Sequence, residues 1–487
     1  QALLSGQWHN FNDIAWPGHQ RETPSDRVIV ASRTEAFFFF LSIFGVGTGA
    51  SIIDANQVDR VFDVTSGVTF NLQDLTVTGG NVVGPKDGGG IRSNGTVALT
   101  DAEVTANESD RNGGGIFSNG TLTLTTSTIS DNTGDFGGGV FNDDGTVTVT
   151  ESLISSNTAM TDGGGLFNDR TATVNIQGAT LNGNMAGRDG AGIYNNDSGT
   201  ANITDSAVTR NTATGDGGGL FSELAANSTL TNSTVAFNTA SNGGGVFNQD
   251  GVVTVSLSSI SANSATTDGG GLFVTSNGVV NASGSTFSGN LSTFNGGGIS
   301  NSGTVNLDTV RVIDNAAEGT GGGINNARTL TLQTTTVTGN SAAISGGGIA
   351  NGGSNGDLTL TSSSVSNNTA GVNGGGLHVS GVSDVSATFT TLDSNTASGQ
   401  GGGIFQSSTG TVEITSSTVS RNEAASGGGI YSEEGFSFLN STLSTNTATG
   451  NGGGLHNNDT SNNGLNVSLE SATIFGNTAG GTGGSAE

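Results

Sequence analysis

GGGIFSNGTLTLT, residues 113–125, decides the fold, because its pattern returns from one end of the chain to the other. A glycine triplet followed by an aliphatic residue starts at 88, 113, 137, 163, 217, 243, 269, 296, 321, 346, 374, 401, 427 and 452, and Gly190-Ala191-Gly192 fills the one gap. The fifteen occurrences lie 24 to 28 residues apart, with a mean of 26. Fixed periodicity of that length marks an array of stacked units, and it overrides the two to four globular domains that length alone would suggest.

Each repeat carries three short β-like runs separated by turn residues. One follows the triplet, as in Gly139-Val140-Phe141-Asn142. The next alternates, as in Thr146-Val147-Thr148-Val149-Thr150, which puts the valines on one face and the threonines on the other. A brief third run, Ser152-Leu153-Ile154-Ser155, leads to an asparagine. Triplets and β-branched runs defeat a helical period. The pattern predicts an all-β, right-handed parallel β-helix of about 15–17 coils of about 26 residues, with three short strands per coil.

An asparagine column supports this reading. Asn107, Asn132, Asn157, Asn184, Asn211, Asn238, Asn263, Asn290, Asn315, Asn340, Asn368, Asn395, Asn422 and Asn446 each stand five or six residues before a triplet. Stacked at one corner, their amides can hydrogen-bond along the axis as a structural ladder, and asparagine tolerates the left-handed conformation of a sharp corner. The aromatic column Phe117, Phe141, Phe167, Tyr194, Phe221, Phe247 and Phe273 directly follows the aliphatic position, and Phe405 and Tyr431 return to it later. Alternation points these rings outward, whereas the cost of exposing them points them inward; packing is the favoured expectation. His378 and His456 share the column and are expected at the surface.

Composition limits function. The chain has 13 basic and 40 acidic residues, a net charge of -27, which repels nucleic acid and anionic lipid. It has no cysteine, so neither a disulfide nor a thiolate metal site is available. Apolar residues are only 32% of the chain, enough for a thin core. The longest apolar run, residues 36–46, is too short to span a bilayer. Residues 1–50 lack the repeat and are expected to form an N-terminal cap or an inter-subunit segment, with Phe37, Phe38, Phe39 and Phe40 available for assembly; residues 51–487 form the β-helix domain. The chain ends without a polar cap, which gives an expectation of head-to-tail fibres.

No catalytic constellation is legible. The repeat-region arginines, among them Arg92, Arg111, Arg170 and Arg188, are scattered. Asp143-Asp144 and Glu433-Glu434 read as solvated turn charge. Asp162, Asp189, Asp216 and Asp268 precede triplets, and stacked carboxylates of this kind would suit calcium unless Arg188 neutralises them. No other cofactor is expected.

The repeats at 137–142 and 163–168, Gly-Gly-Gly-aliphatic-Phe-Asn, resemble those of bacterial polymorphic outer-membrane-type proteins. The resemblance covers about nine tenths of the chain. It implies a right-handed β-helix, secretion or cell-surface display, and adhesion; the expected partners are surface glycans or further copies of the chain. No membrane β-barrel sequence follows the repeats, so self-anchoring is not expected. The leading expectation is a structural or adhesive extracellular protein without enzymatic activity. A carbohydrate-active lyase or hydrolase is the alternative, to be favoured by carboxylates gathered with an arginine on one face.

Overall fold

The computed structural model describes residues 2–4, 7–9, 29–31, 39–458 and 467–481, with side chains from residue 40 onward. Its regular elements are all β-strands. Among the described residues no helix is long and apolar enough to cross a membrane. The chain comprises two units, Gln1–Thr234 and Val235–Glu487, and each is a parallel β-solenoid.

One turn of the first unit runs through Ile116–Ser118, Thr121–Thr125, Thr128–Ser130 and Thr133–Gly134. The next turn stacks on it in parallel, with Ile116 against Val140, Leu122 against Val147, Ile129 against Ile154 and Thr133 against Thr158. In the second unit Ile299–Asn301, Thr304–Asp308, Arg311–Ile313 and Ala316–Ala317 pair in the same way with the turn that begins at Ile324. The three strands expected per turn are present. A fourth, of two residues, follows the ladder asparagine and makes four sheets; two residues are too short to show alternation in a sequence.

Alternation supplies the core. Ile116, Leu122, Leu124 and Ile129 are fully buried, while Thr121 and Thr123 reach solvent. At roughly 1.5–3 kcal/mol per buried aliphatic side chain, four such residues per turn make a narrow column, and the buried polar groups beside it must be fully paired.

The asparagine ladder does that pairing. In the first unit Asn107, Asn132, Asn157 and Asn184 each donate Nδ2 to Oδ1 of the next asparagine, ending on Asn211, at 2.9–3.1 Å. Asn132 Nδ2 also reaches the Val104 carbonyl at 2.9 Å, and Asn132 Oδ1 accepts the Asn107 backbone N–H at 3.1 Å. In the second unit the ladder runs from Asn238 to Asn477 at 2.9–3.1 Å. The left-handed corner residue is not the asparagine, as expected, but its predecessor: Ala106 (φ 53°), Asp131 (φ 54°) and Ser156 (φ 55°) bend the chain so that the amide enters the interior.

The glycine triplet packs against this ladder. Gly113 is left-handed at φ 67°. At Gly114 the constraint is space, since a Cβ there would lie 2.2 Å from the Thr133 carbonyl oxygen.

Of residues 1–50, Phe39–Phe44 runs parallel to Val68–Gln73, and Ile29–Ala31 runs parallel to Phe62–Val64. The phenylalanine-rich segment therefore extends the sheets by a turn. Leu41 and Ile43 point into the core, and Phe40 is 63% exposed. Phe37 and Phe38, and the C-terminal residues 482–487 to which a head-to-tail contact is assigned, lie outside the described residues; of Phe39 only the backbone is described.

Candidate ligand-binding groove

In the first unit, strand pairing places Arg92, Phe117, Phe141, Phe167, Tyr194 and Phe221 in one column, each beside the next. Arg92 binds Asp63 at 3.1 Å and keeps a third of its side chain in solvent, which marks the column as the outer face of its sheet. The rings nonetheless stay 3–5% exposed. They shield one another by stacking within 10–11° of parallel, at centroid separations of 5.7, 4.9, 4.6 and 4.8 Å. The rings thus point outward and are packed at once, which joins the two sequence-based expectations. Each ring spends its faces on its neighbours and presents its edge.

Two residues further along each turn stands a polar column. Asn119 donates its backbone N–H to Ser93 at 2.8 Å, Asp143 pairs in register with Asp169, and Asn196 donates Nδ2 to Asp169 Oδ1 at 2.8 Å. Tyr194 Oη donates to Glu223 of the next turn, and its phenol pKa is raised, chiefly by burial and then by that bond. On the other side, the turns before each triplet bring up Asp87, Arg111, Asn112, Asp135 and Phe136. Phe136 meets Phe167 edge-on at 5.7 Å and 84°. Between these walls, over the ring edges, lies a groove of about 570 Å³.

Each groove arginine is paired with a carboxylate. Arg170 holds both Asp143 and, at 3.2 Å, Asp144. Arg111 Nε stands 3.7 Å from Asp87 Oδ1. Burial raises the Asp143 pKa, opposed by the Arg170 guanidinium. Two side-chain oxygens of lining residues, Asp87 Oδ1 and Asn196 Oδ1, accept no hydrogen bond.

Asp143 is therefore a partly buried wall residue and not solvated turn charge, whereas Asp144 is an exposed turn residue as expected; Arg92, Arg111 and Arg170 are not scattered. One period of sequence is one step between stacked turns, so side chains about 26 positions apart become neighbours.

The carboxylates proposed for calcium lie elsewhere. Asp162 is 1% exposed, and the Arg188 guanidinium binds both its oxygens. Asp162 Oδ1 also accepts the Asp189 backbone N–H at 3.0 Å, and Asp189 Oδ1 accepts that of Asp216 at 2.7 Å. Burial raises the pKa of Asp162 and Asp189. In the second unit Asp268 N–H is accepted by Asn242 Oδ1, and Asp268 Oδ1 accepts the Asn295 N–H at 2.7 Å. Asparagine and aspartate thus do the same work at this position: a side-chain oxygen receives the next turn's N–H. Among the described residues no group of three or more His, Cys, Asp or Glu side chains is arranged to hold a metal ion.

Two further asparagine ladders were not anticipated. Asn142, Asn168 and Asn195 link at 2.8 Å, and Asn301, Asn326 and Asn351 at 2.6–2.7 Å. Their signal was present as the asparagine that closes the Gly-Gly-Gly-aliphatic-Phe-Asn repeat. In the second unit, His378, Phe405, Tyr431 and His456 form a stack at 5.0–5.6 Å. Burial lowers the His378 pKa to about 4, so this half-buried histidine stacks as an uncharged ring at the surface of the column.

No family model matches the chain, and neither does any curated protein or solved structure.

Proposed function

We propose that this chain is an extracellular or cell-surface adhesive solenoid that holds glycans in the groove of its first unit. The observation that carries the reading is the groove itself: carboxylates, amides and guanidiniums line both walls above an apolar floor. Planar polar side chains that accept and donate in pairs, set beside aromatic carbon, suit vicinal hydroxyls on an apolar ring. The resemblance to displayed bacterial β-helix repeats and the charge of -27 agree with an extracellular setting. Affinity electrophoresis of the intact chain through gels carrying soluble polysaccharides tests it. Retardation by at least one polysaccharide is expected; unchanged mobility in all of them would refute the reading.

One observation favours hydrolysis as a second reading. Asp143 and Asp169 are partners on adjacent strands, a step of roughly 4.8 Å, close to the carboxylate spacing of a retaining glycosidase. Burial favours the protonated form of Asp143, as an acid needs, but the Arg170 ion pair opposes it, and for that reason binding leads. New reducing ends from a retarding polysaccharide, lost in Asp169→Asn, would put hydrolysis first.

A further inference from the structure

The groove is built by repetition, and its ligand can be read from that. Asn94, Asn119, Asp143, Asp169 and Asn196 occur once per turn along one wall. Five turns set roughly 4.8 Å apart span about 19 Å, far longer than one sugar ring. A ligand that meets the same kind of side chain at every turn must itself repeat, with a step near the spacing of the strands. An extended pyranose polymer lying along the solenoid axis has such a step.

Charge selects among such polymers. Arg92, Arg111 and Arg170 each stand within 4 Å of a carboxylate of this chain, so no groove arginine is left for an acidic sugar. Asp87, Asp135, Asp143 and Asp169 outnumber them, in a chain of net charge -27. A uronate in the groove would face like charge without a compensating cation. The floor offers ring edges and not faces, because the faces are consumed by stacking. Strong stacking of a single sugar is therefore absent, and binding must accumulate over several units.

We infer that the groove takes a neutral, linear polysaccharide lying parallel to the solenoid axis, with about one sugar unit per turn over five turns. This rests on the glycan-binding reading above. The test is calorimetric titration of the intact chain with β-1,3- and β-1,4-linked glucose, xylose and mannose oligomers of increasing length, beside galacturonate oligomers of the same lengths. A second arm uses Asn119→Arg, which adds a cation to an exposed stretch of the wall. Affinity for at least one neutral series should rise by about tenfold or more from dimer to pentamer and then level off, with matching uronates weaker by about tenfold. Asn119→Arg should narrow that gap. Uronates binding as well as neutral oligomers, or affinity independent of length, would overturn the inference and leave glycan binding standing. Failure of every oligomer to bind would overturn both.

Discussion

Arg170 reaches back one turn to bind both Asp143 and Asp144, so that Asp143, which looks like loose turn charge, becomes part of the groove wall. The arginine is about half exposed, and exposed ion pairs stabilise by only about 0–1 kcal/mol. Arg170→Ala should therefore leave the denaturation midpoint nearly unchanged. It should raise the Asp143 pKa further, because burial would then act without the guanidinium that opposes it. Carboxyl-carbon NMR titration of the two proteins measures this; an unchanged Asp143 titration would show that the pair is not formed in solution.

The ladder makes a sharper demand on stability. Asn157 donates to Ile129 O and Asn184 Oδ1, and its own Oδ1 accepts from Asn132, all at 2.9–3.1 Å and all buried. Asn157→Ala strands several buried polar groups at about 1–3 kcal/mol each. Because each turn contacts only its neighbours, the damage should stay local. Hydrogen exchange should accelerate around residues 129–132 and 182–184 while distant turns keep their protection. Uniform acceleration throughout the unit would mean that it opens as a whole.

Much of this was legible beforehand because it is periodic. The Asn132 and Ile116 positions recur at every turn, and recurrence fixes both the stacking axis and the core. The groove was not legible, because its parts are single events in different turns: Arg111 in one, Asp135 in the next, Arg170 two further on. Each looks isolated along the chain, and only alignment of the repeats by register sets them side by side. The four-sheet cross-section was missed for a different reason, since Thr133–Gly134 is too short to carry a period.

Acid should act on the first unit in a defined direction. Asp143, Asp162 and Asp189 all have pKa values raised above 3.8, chiefly by burial. The folded state therefore binds protons that the unfolded state releases, and stability should fall as pH rises from about 4 through the raised values. Asp162→Asn keeps the oxygen that accepts the Asp189 N–H and removes the charge, so its stability should decline less over that window. Urea titrations from pH 4 to pH 7 measure it; equal slopes for the two proteins would contradict the assignment.

In the second unit the sign reverses. Burial holds the His378 pKa near 4, against 6.5 for a free imidazole. The stability that depends on a neutral ring is complete above pH 6.5 and is lost as pH falls toward 4. Phe in its place continues the stack onto Phe405 without titrating. Between neutral pH and about pH 4.5, His378→Phe should gain about 2–3 kcal/mol relative to the parent. Parallel pH profiles for the two would place His378 in solvent.

The most direct test of the groove as a glycan site is an array of immobilised polysaccharides probed with the intact chain and with Asn119→Trp. Position 119 is an exposed part of the wall, so an indole there obstructs the groove without disturbing the ladders or the core. Selective binding by the parent to a subset of neutral polysaccharides, lost or sharply reduced in the variant, is the expected result. Equal binding by both proteins would place any glycan contact outside the groove and contradict the central claim.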